Sequence, residues 1–220
     1  MSETRQSATT LPTIGFVGAG KGGQTLAAAL AAAGMPVVAV ASRSPLSAAR
    51  LAALAGIPRS GVYATGAEVA AQAELTFLTV PDDAIAVAAG EITAAGGWRP
   101  GHAVLHCSGA LSSAVLPAAA AHGCRTASFH PLQTFAVVPA DRAEAVARLT
   151  GIVFGLEGDD ALRPVLETLA VRLGGRPLWL QPEEKPIYHA AAVLTSNYTV
   201  VLVALAAARF DDRRTWQRDH

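Results

Sequence analysis

The stretch TIGFVGAGKGGQTLAAAL, residues 13–30, carries the strongest structural signal in the sequence, because an apolar strand runs directly into a glycine-rich turn and an Ala/Leu-rich helix follows. Gly18 permits the tight turn, and Gly20 lets a pyrophosphate approach the backbone. Gly23 lets the helix pack closely on the strand, while the helix N-terminus faces the phosphates. A merely tight turn is the alternative. The junction predicts a dinucleotide site formed by Gly18, Ala19, Gly20, Lys21, Gly22 and Gly23.

The end of the next apolar run indicates which dinucleotide binds. An NAD site usually has an acidic residue there, about 20 residues beyond the glycines, to bind the ribose hydroxyls. Here the sequence reads Ser42-Arg43-Ser44, with no acid. A guanidinium can pair with a 2′-phosphate, and the two hydroxyls can donate to it. An ordinary polar loop with a solvated arginine is the alternative. The loop favours NADP as the cofactor over NAD.

The rest of the chain alternates between strand-like and helix-like patterns, which is typical of an α/β protein with a mostly parallel, doubly wound sheet of the Rossmann type. Strands are predicted at 14–17, 37–41, 75–80, 103–107, 125–129, 152–156 and 177–180, with a weaker one near 61–65. Helices are predicted at 24–33, 46–55, 83–95, 112–121 and 160–173.

Composition excludes several classes of partner. The 220 residues are 51% hydrophobic, and 17 basic residues balance 17 acidic ones, so no charge field indicates nucleic acid or a membrane surface. The two cysteines, Cys107 and Cys124, fit neither a disulfide framework nor a zinc site, and no metal is expected. The start of the chain lacks the pattern of a signal peptide. We therefore expect a disordered tail at 1–12 and a cytoplasmic protein.

Ligands of open α/β sheets lie beyond the carboxyl ends of the strands. Val80 ends one predicted strand and Pro81 follows it, while Ser108 follows the next strand; these residues are predicted to face the cofactor. His106 falls inside its strand and is interpreted as a hydrogen-bonded core histidine. His130, before a proline at a strand end, is the strongest candidate to face the cleft. Taken singly, each residue could also serve only as a turn, a cap or a core residue.

Four motifs in order carry a family resemblance: GFVGAGKGG (15–23), TVPDDAI (79–85), HCSGA (106–110) and FHPLQTF (129–135). Together they resemble the family that pairs a Rossmann-like domain with a helical C-terminal domain of unknown function, over about residues 13 to 208. That family is similar to pyrroline-5-carboxylate reductases, and some members resemble an alternative ketopantoate reductase. The resemblance implies NADP-dependent reduction of a small carbonyl or imine compound.

The segment QPEEKPIYHAAAVLTSNYTVVLVALAAARF, residues 181–210, predicts a long helix that starts near Pro182. Lys185, His189 and Ser196 recur at helical spacing on roughly one face, with Asn197 beside it. The segment resembles the helix of 6-phosphogluconate-dehydrogenase-like enzymes in which Lys-x-x-x-Asn supplies a proton donor and a substrate hydrogen bond. This chain departs from that pattern by having His189 at the Asn position. A solvated lysine and a packed histidine are the alternative.

The resemblance also divides the chain into a Rossmann-like domain at 13–181 and a helical domain at 182–220. Family members continue into a full helical bundle, whereas the last residues here are charged, so we expect a truncated second domain. The apolar run 190–208 is long enough for a membrane span but has polar residues at its centre. We therefore interpret it as an interface helix, not a membrane span, and expect a homodimer through helix 183–209.

Two functions remain open at this stage. The first is an NADP-dependent oxidoreductase acting on a 2-oxo acid such as ketopantoate or on a cyclic imine acid. In it, Lys185 or His130 donates the proton, while Ser108, His189 and Asn197 orient the substrate. The second is a protein that binds NADP without turnover, as a sensor or a degenerate copy.

Overall fold

The computed structural model describes residues 11–218, with side chains omitted at 196, 197 and 209–218. Eight strands form one sheet in the order β3-β2-β1-β4-β5-β6-β7-β8. The strands are β1 Ile14–Val17, β2 Val37–Ala41, β3 Val62–Tyr63, β4 Leu75–Leu78, β5 Ala103–His106, β6 Arg125–Pro131, β7 Val153–Gly158 and β8 Arg176–Trp179. Every predicted strand is present, and the Rossmann-type α/β fold is confirmed. The predicted 1–12 tail lies mostly outside the described residues.

One strand departs from the parallel pattern. β7 pairs antiparallel with β6, while β8 runs parallel to β7. The chain leaves the carboxyl end of β6 and re-enters the sheet at the same end, where the Leu132 N–H donates to the Val153 carbonyl at 2.9 Å. Because no crossover to the opposite edge intervenes, β7 must run in the opposite direction.

Helices cover the sheet. They are α1 Lys21–Ala32, α2 Pro45–Ala55, α3 Gly66–Gln72, α4 Asp82–Ala94, α5 Pro117–Ala120, α6 Arg142–Leu149, α7 Arg163–Arg172, α8 Lys185–Val193 and α9 Thr199–Arg218. The sequence did not predict α3 or α6, which are only seven and eight residues long. The predicted helix 112–121 is wrong as a single element: a 3₁₀ turn at Ser113–Val115 precedes the short α5, because Pro117 begins a new helix.

The core joins strands that are distant in sequence. Phe16 and Phe77 stack with ring centroids 5.2 Å apart, and Phe129 packs edge-on against Phe77 at 5.6 Å. Phe154 of the antiparallel strand completes the row at 4.9 Å from Phe129. All four rings are fully buried. This aromatic row links β1, β4, β6 and β7 across one face of the sheet, which helps to align the strand ends that form the site.

The predicted long helix is interrupted. A 3₁₀ turn at Pro182–Glu184 leads into α8, and a π-helical turn at Leu194–Tyr198 separates α8 from α9. Gln181 and Glu184 form a capping box at the start of the 3₁₀ turn. In α9 the apolar side chains from Val200 to Leu205 are exposed. Among residues 11–218, no helix has both the length and the apolar character that crossing a bilayer requires.

Candidate functional site

The glycine turn after β1 has the geometry that its sequence predicts. Gly18 has a φ of 98°, and a Cβ there would lie 2.6 Å from the Thr79 carbonyl oxygen. The Gly18 N–H donates to Ala41 of β2, and the Thr79 hydroxyl donates to the Gly18 carbonyl, both at 2.8 Å. The turn is therefore fixed by both neighbouring strands and excludes a side chain at its first glycine.

The other two glycines differ in what surrounds them. A Cβ on Gly20 would meet nothing within 4 Å, so this residue faces open space at the start of α1. A Cβ on Gly23 would lie 2.5 Å from the Thr79 hydroxyl, so the helix packs directly against the end of β4. The backbone thus leaves room for a ligand at Gly20 and none at Gly23, as a pyrophosphate at a helix N-terminus requires.

Two cavities open on either side of this turn, at the carboxyl ends of the parallel strands. The outer cavity, of about 570 Å³, is bordered by the predicted loop Ser42–Ser44 and by α4. The inner cavity, of about 340 Å³, is bordered by the start of α1 and by β6. Both cavities are lined by Gly20, Thr79, Val80 and Pro81. The site therefore has two lobes with the glycine turn between them, which fits an extended dinucleotide.

In the outer cavity the predicted loop presents an exposed cation beside two hydroxyls that accept hydrogen bonds from backbone N–H groups. Arg43 is exposed. The Ser44 hydroxyl caps α2 by accepting from the Ser47 N–H at 3.2 Å, and the Ser42 hydroxyl accepts from the Ser44 N–H at 3.4 Å. Glu91 of α4 is the one carboxylate among the lining residues that the structure describes. No acid at the end of β2 occupies the place where it would meet a ribose.

The inner cavity is lined by residues from distant segments. Lys21, Gly22 and Gly23 come from α1, Cys107 follows β5, and His130 lies near the end of β6. The loop after β6 adds the Phe135 ring, which would lie 3.3 Å from a Cβ on Gly22. His130 therefore lines the cavity, and its role there stays a prediction.

His130 is held by a tyrosine that the sequence analysis missed. The His130 Nδ1 lies 3.1 Å from the Tyr188 hydroxyl, and the two rings are perpendicular. Burial, with the charges of Lys185 and His189 adding to it, lowers the pKa of His130 to about 3. Burial raises the pKa of Tyr188 to about 12. At neutral pH this pair is therefore neutral, and His130 can donate a hydrogen bond but holds no spare proton.

The Ser108 hydroxyl is hydrogen-bonded to other groups of the protein. It donates to the Asp82 carboxylate at 2.7 Å and accepts from the backbone N–H groups of Ala110 and Leu111 at 3.2 and 3.0 Å. Only 4% of the residue is exposed. The structure thus places Ser108 in the turn behind the cavity, where its hydroxyl shapes the loop.

Lys185 is fully buried at the first residue of α8. Its Nζ donates to the Ser108 carbonyl at 3.0 Å and to the Ser128 hydroxyl at 2.5 Å. Burial lowers the pKa of Lys185 to about 8, against the opposing charges of Glu157 and Asp82. The ammonium therefore lies beneath the turn that follows Cys107, behind the inner cavity and not on its wall.

His189 follows Lys185 by one helical turn on the same face. A Cβ on Gly109 would lie 2.5 Å from the His189 Nδ1 and 2.9 Å from the His130 Nε2, so both rings pack against this glycine. The His189 Nδ1 is buried without a hydrogen-bond partner among the described groups. The predicted common face is present for Lys185 and His189, whereas the side chains of Ser196 and Asn197 lie outside the described residues.

His106 has the structural role that its position in the strand indicates. Its Nδ1 accepts from the Ser108 N–H at 3.2 Å, and its Nε2 lies 3.2 Å from the Ser112 carbonyl. Neither ring nitrogen is free, and the residue is fully buried. The interpretation as a hydrogen-bonded core histidine is confirmed.

Two family models match the chain. The Rossmann-like domain matches residues 2–131, and the domain of unknown function DUF2520 matches residues 152–215. These are the two families that the motifs resemble, in the same order along the chain. No protein of curated function matches the sequence.

Solved structures share the fold. The chain is 25% identical to a Bacteroides fragilis protein described as "putative NADP oxidoreductase BF3122", with a TM-score of 0.72 over 93% of this chain and 74% of that one. It is 28% identical to protein TM1727 from Thermotoga maritima, with a TM-score of 0.64 over 90% and 69% of the two chains.

A more distant structure has the same architecture. A pyrroline-5-carboxylate reductase from Coxiella burnetii is 16% identical, with a TM-score of 0.67 over 91% of this chain and 70% of that one. The Rossmann-like model spans more than half of the sequence, including the glycine turn and every strand from β1 to β6. The chain belongs to the Rossmann-like domain family.

Proposed function

We propose that the chain is an NADP-dependent oxidoreductase that reduces a small C=O or C=N compound. The observation that carries the proposal is the pair of cavities joined at Gly20, at the carboxyl ends of the parallel strands. A dinucleotide needs this arrangement, because its two halves extend in opposite directions from a pyrophosphate at a helix N-terminus. The likeness to BF3122, described as an NADP oxidoreductase, supports the same assignment.

The preference for NADP rests on the loop after β2. An adenosine half in the outer cavity would bring its 2′-position toward Ser42–Ser44, where the exposed Arg43 guanidinium can pair with a phosphate. The Ser44 hydroxyl still has its hydrogen to donate, since it accepts from both the N–H and the hydroxyl of Ser47 through its lone pairs. NAD is the alternative and would leave this cation unpaired.

The chemistry requires a hydride and a proton. A reduced nicotinamide in the inner cavity would supply the hydride to the carbon of the C=O or C=N bond. We assign the proton to Lys185, which is charged at neutral pH because its pKa is about 8. Its ammonium lies behind the inner cavity, so this role requires the Ser108–Gly109 turn to move aside when substrate binds. His130 then donates a hydrogen bond to the substrate through its neutral ring, with His189 next to it. Ser108 would act by shaping the turn, and Asn197 stays a predicted substrate ligand.

The test is NADPH oxidation by the purified chain, followed with a panel of 2-oxo acids, including ketopantoate, and of cyclic imine carboxylic acids. We expect turnover with at least one member and slower turnover with NADH in place of NADPH. Tight NADPH binding without turnover of any member would contradict the reductase and support a binding protein without catalysis.

We also propose a homodimer through the helical segment 183–209. The side chains from Val200 to Leu205 are 54–68% exposed, and burying such an apolar surface against a second copy is favourable by roughly 25 cal/mol per Å². Light scattering on the pure protein should give twice the mass of one chain. A monomer at high concentration would contradict this proposal.

A further inference from the structure

Lys185 ends in a small group of oxygen atoms that no solvent reaches. The Ser128 hydroxyl and the Ser108 carbonyl receive two of its three N–H groups, at 2.5 and 3.0 Å. Both serines belong to other segments of the chain, Ser128 to β6 and Ser108 to the turn after β5. Through these two oxygen atoms, Lys185 connects α8 to β6 and to the turn after β5.

The orientation of the Ser128 hydroxyl is fixed by its neighbours. An ammonium can only donate, so the Ser128 oxygen must accept from Lys185. Its single hydrogen then goes to the Ser108 carbonyl, 3.0 Å away. The same carbonyl receives Lys185, so the three groups form a closed triangle. Ser128 is fully buried, so bulk solvent does not compete for these hydrogen bonds in the native chain.

The nearby carboxylates do not take over this task. Glu157 of β7 is held by the N–H and hydroxyl of Ser113 at 2.7 and 2.8 Å, and Asp82 of α4 by the Ser108 hydroxyl. Within the described part of the chain, the ion pairs closer than 4 Å are Arg148–Glu144 and Arg163–Glu167, and Lys185 is in neither. The other titratable groups that interact with Lys185 are Cys107 and His106 from β5 and the turn after it, and His130 from β6.

We propose that Ser128 is a positioning residue, whose hydroxyl holds the Lys185 ammonium in its charged form beneath the Ser108–Gly109 turn. This role rests on the proposed function, in which Lys185 is the proton donor, and it explains what keeps that donor protonated. Loss of one hydrogen bond to a buried charge removes stabilisation from the charged form alone.

The sequence offers a direct test, because it contains only two lysines, Lys21 and Lys185. Lysine labelled with ¹³C at Cε gives two NMR signals, and the exposed Lys21 provides the reference. In the native chain the Lys185 signal should titrate near pH 8. Ser128→Ala should lower that pKa by about one to two units, the scale of a hydrogen bond to a charged group.

Two further variants separate positioning from a general structural effect. Ser128→Thr keeps the hydroxyl and should restore the native titration. Thr76→Val on β4 removes another fully buried hydroxyl, which is hydrogen-bonded to His102 at 2.9 Å. This variant should leave the Lys185 signal unchanged. In the NADPH assay, Ser128→Ala should shift the fall of kcat at alkaline pH downward by the same amount, with the Kd for NADPH unchanged.

The outcomes distinguish this inference from the function on which it rests. An unchanged Lys185 titration in Ser128→Ala overturns the inference, and so does a native Lys185 that titrates like a solvated lysine, near 10.4. If the titration shifts as expected but no substrate is reduced, Ser128 still positions the ammonium and the oxidoreductase proposal fails.

Discussion

The outer and inner cavities meet at the same glycine turn but are built in different ways. The outer cavity is lined by segments between residues 17 and 95, which are the ends of parallel strands, the turns after them and the length of α4. The inner cavity adds residues from 107 to 135, and behind it lies Lys185 of α8. Under the proposed function, nucleotide binding would depend on segments near the first strands, whereas the reactive centre would depend on packing between residues farther apart in the sequence.

The two cavities also differ in electrostatics. Arg43 at the outer cavity is exposed to solvent. Around the inner cavity, burial lowers the pKa of both His130 and Lys185, to about 3 and about 8. Burial disfavours the charged form of each, so only the lysine remains protonated at neutral pH. We therefore expect changes at the outer cavity to alter cofactor affinity, and changes at the inner one to alter turnover.

The largest expected effect is at the inner cavity. Lys185→Met keeps most of the side-chain bulk and removes the ammonium, so kcat and kcat/KM should fall together by about 10²–10⁴-fold, the usual contribution of a general acid. NADPH affinity, measured by fluorescence titration, should stay unchanged. Full activity in Lys185→Met with none in His130→Ala would instead make His130 the donor.

A pH profile gives the next largest effect. A proton donor with a pKa of about 8 carries its proton below that pH and loses it as the pH rises through 8. The kcat of reduction should therefore be level near neutrality and fall about tenfold per unit above pH 8. His130 stays neutral throughout, because its pKa is about 3. A kcat that is constant from pH 6 to 10 would exclude Lys185 as the donor.

A smaller effect is expected at the outer cavity. Arg43→Ala should weaken NADPH binding by about 1–3 kcal/mol, the scale of a charge-assisted contact, and leave NADH nearly unchanged. Arg50→Ala removes an exposed arginine of α2 that does not line the cavity, and serves as the matched control. Equal losses for both cofactors would show that Arg43 does not contact a 2′-phosphate.

The sequence predicted the glycine turn between the two cavities better than it predicted the surroundings of the inner cavity. The roles of Gly18, Gly20 and Gly23 come from spacing along one strand–turn–helix, so the turn was predicted residue by residue. Tyr188 was missed because its contact to His130 joins residues 58 apart and depends on where α8 packs. Ser128 carried a usable signal: it lies two residues before His130 and so on the same face of β6.

The helix after the sheet was predicted in position but not in detail. Apolar periodicity indicated one helix over 183–209, and the structure has a π-helical turn at Leu194–Tyr198 within it. That periodicity describes which residues share a face, and it does not determine where a single extra residue enters the helical turn. The burial of Lys185 was likewise beyond the sequence, because its oxygen partners lie 57 and 77 residues away.

Titration of NADPH into the native chain and into Gly20→Ala tests whether one dinucleotide spans both cavities across Gly20. A Cβ at Gly20 meets no protein atom within 4 Å, and its φ of −71° suits alanine, so the variant should fold normally. Gly90→Ala on α4, also free of neighbours, is the control. We predict NADPH binding at least about tenfold weaker in Gly20→Ala, a loss of roughly 1.4 kcal/mol, and native binding in Gly90→Ala. Equal NADPH affinity in all three proteins would contradict the account.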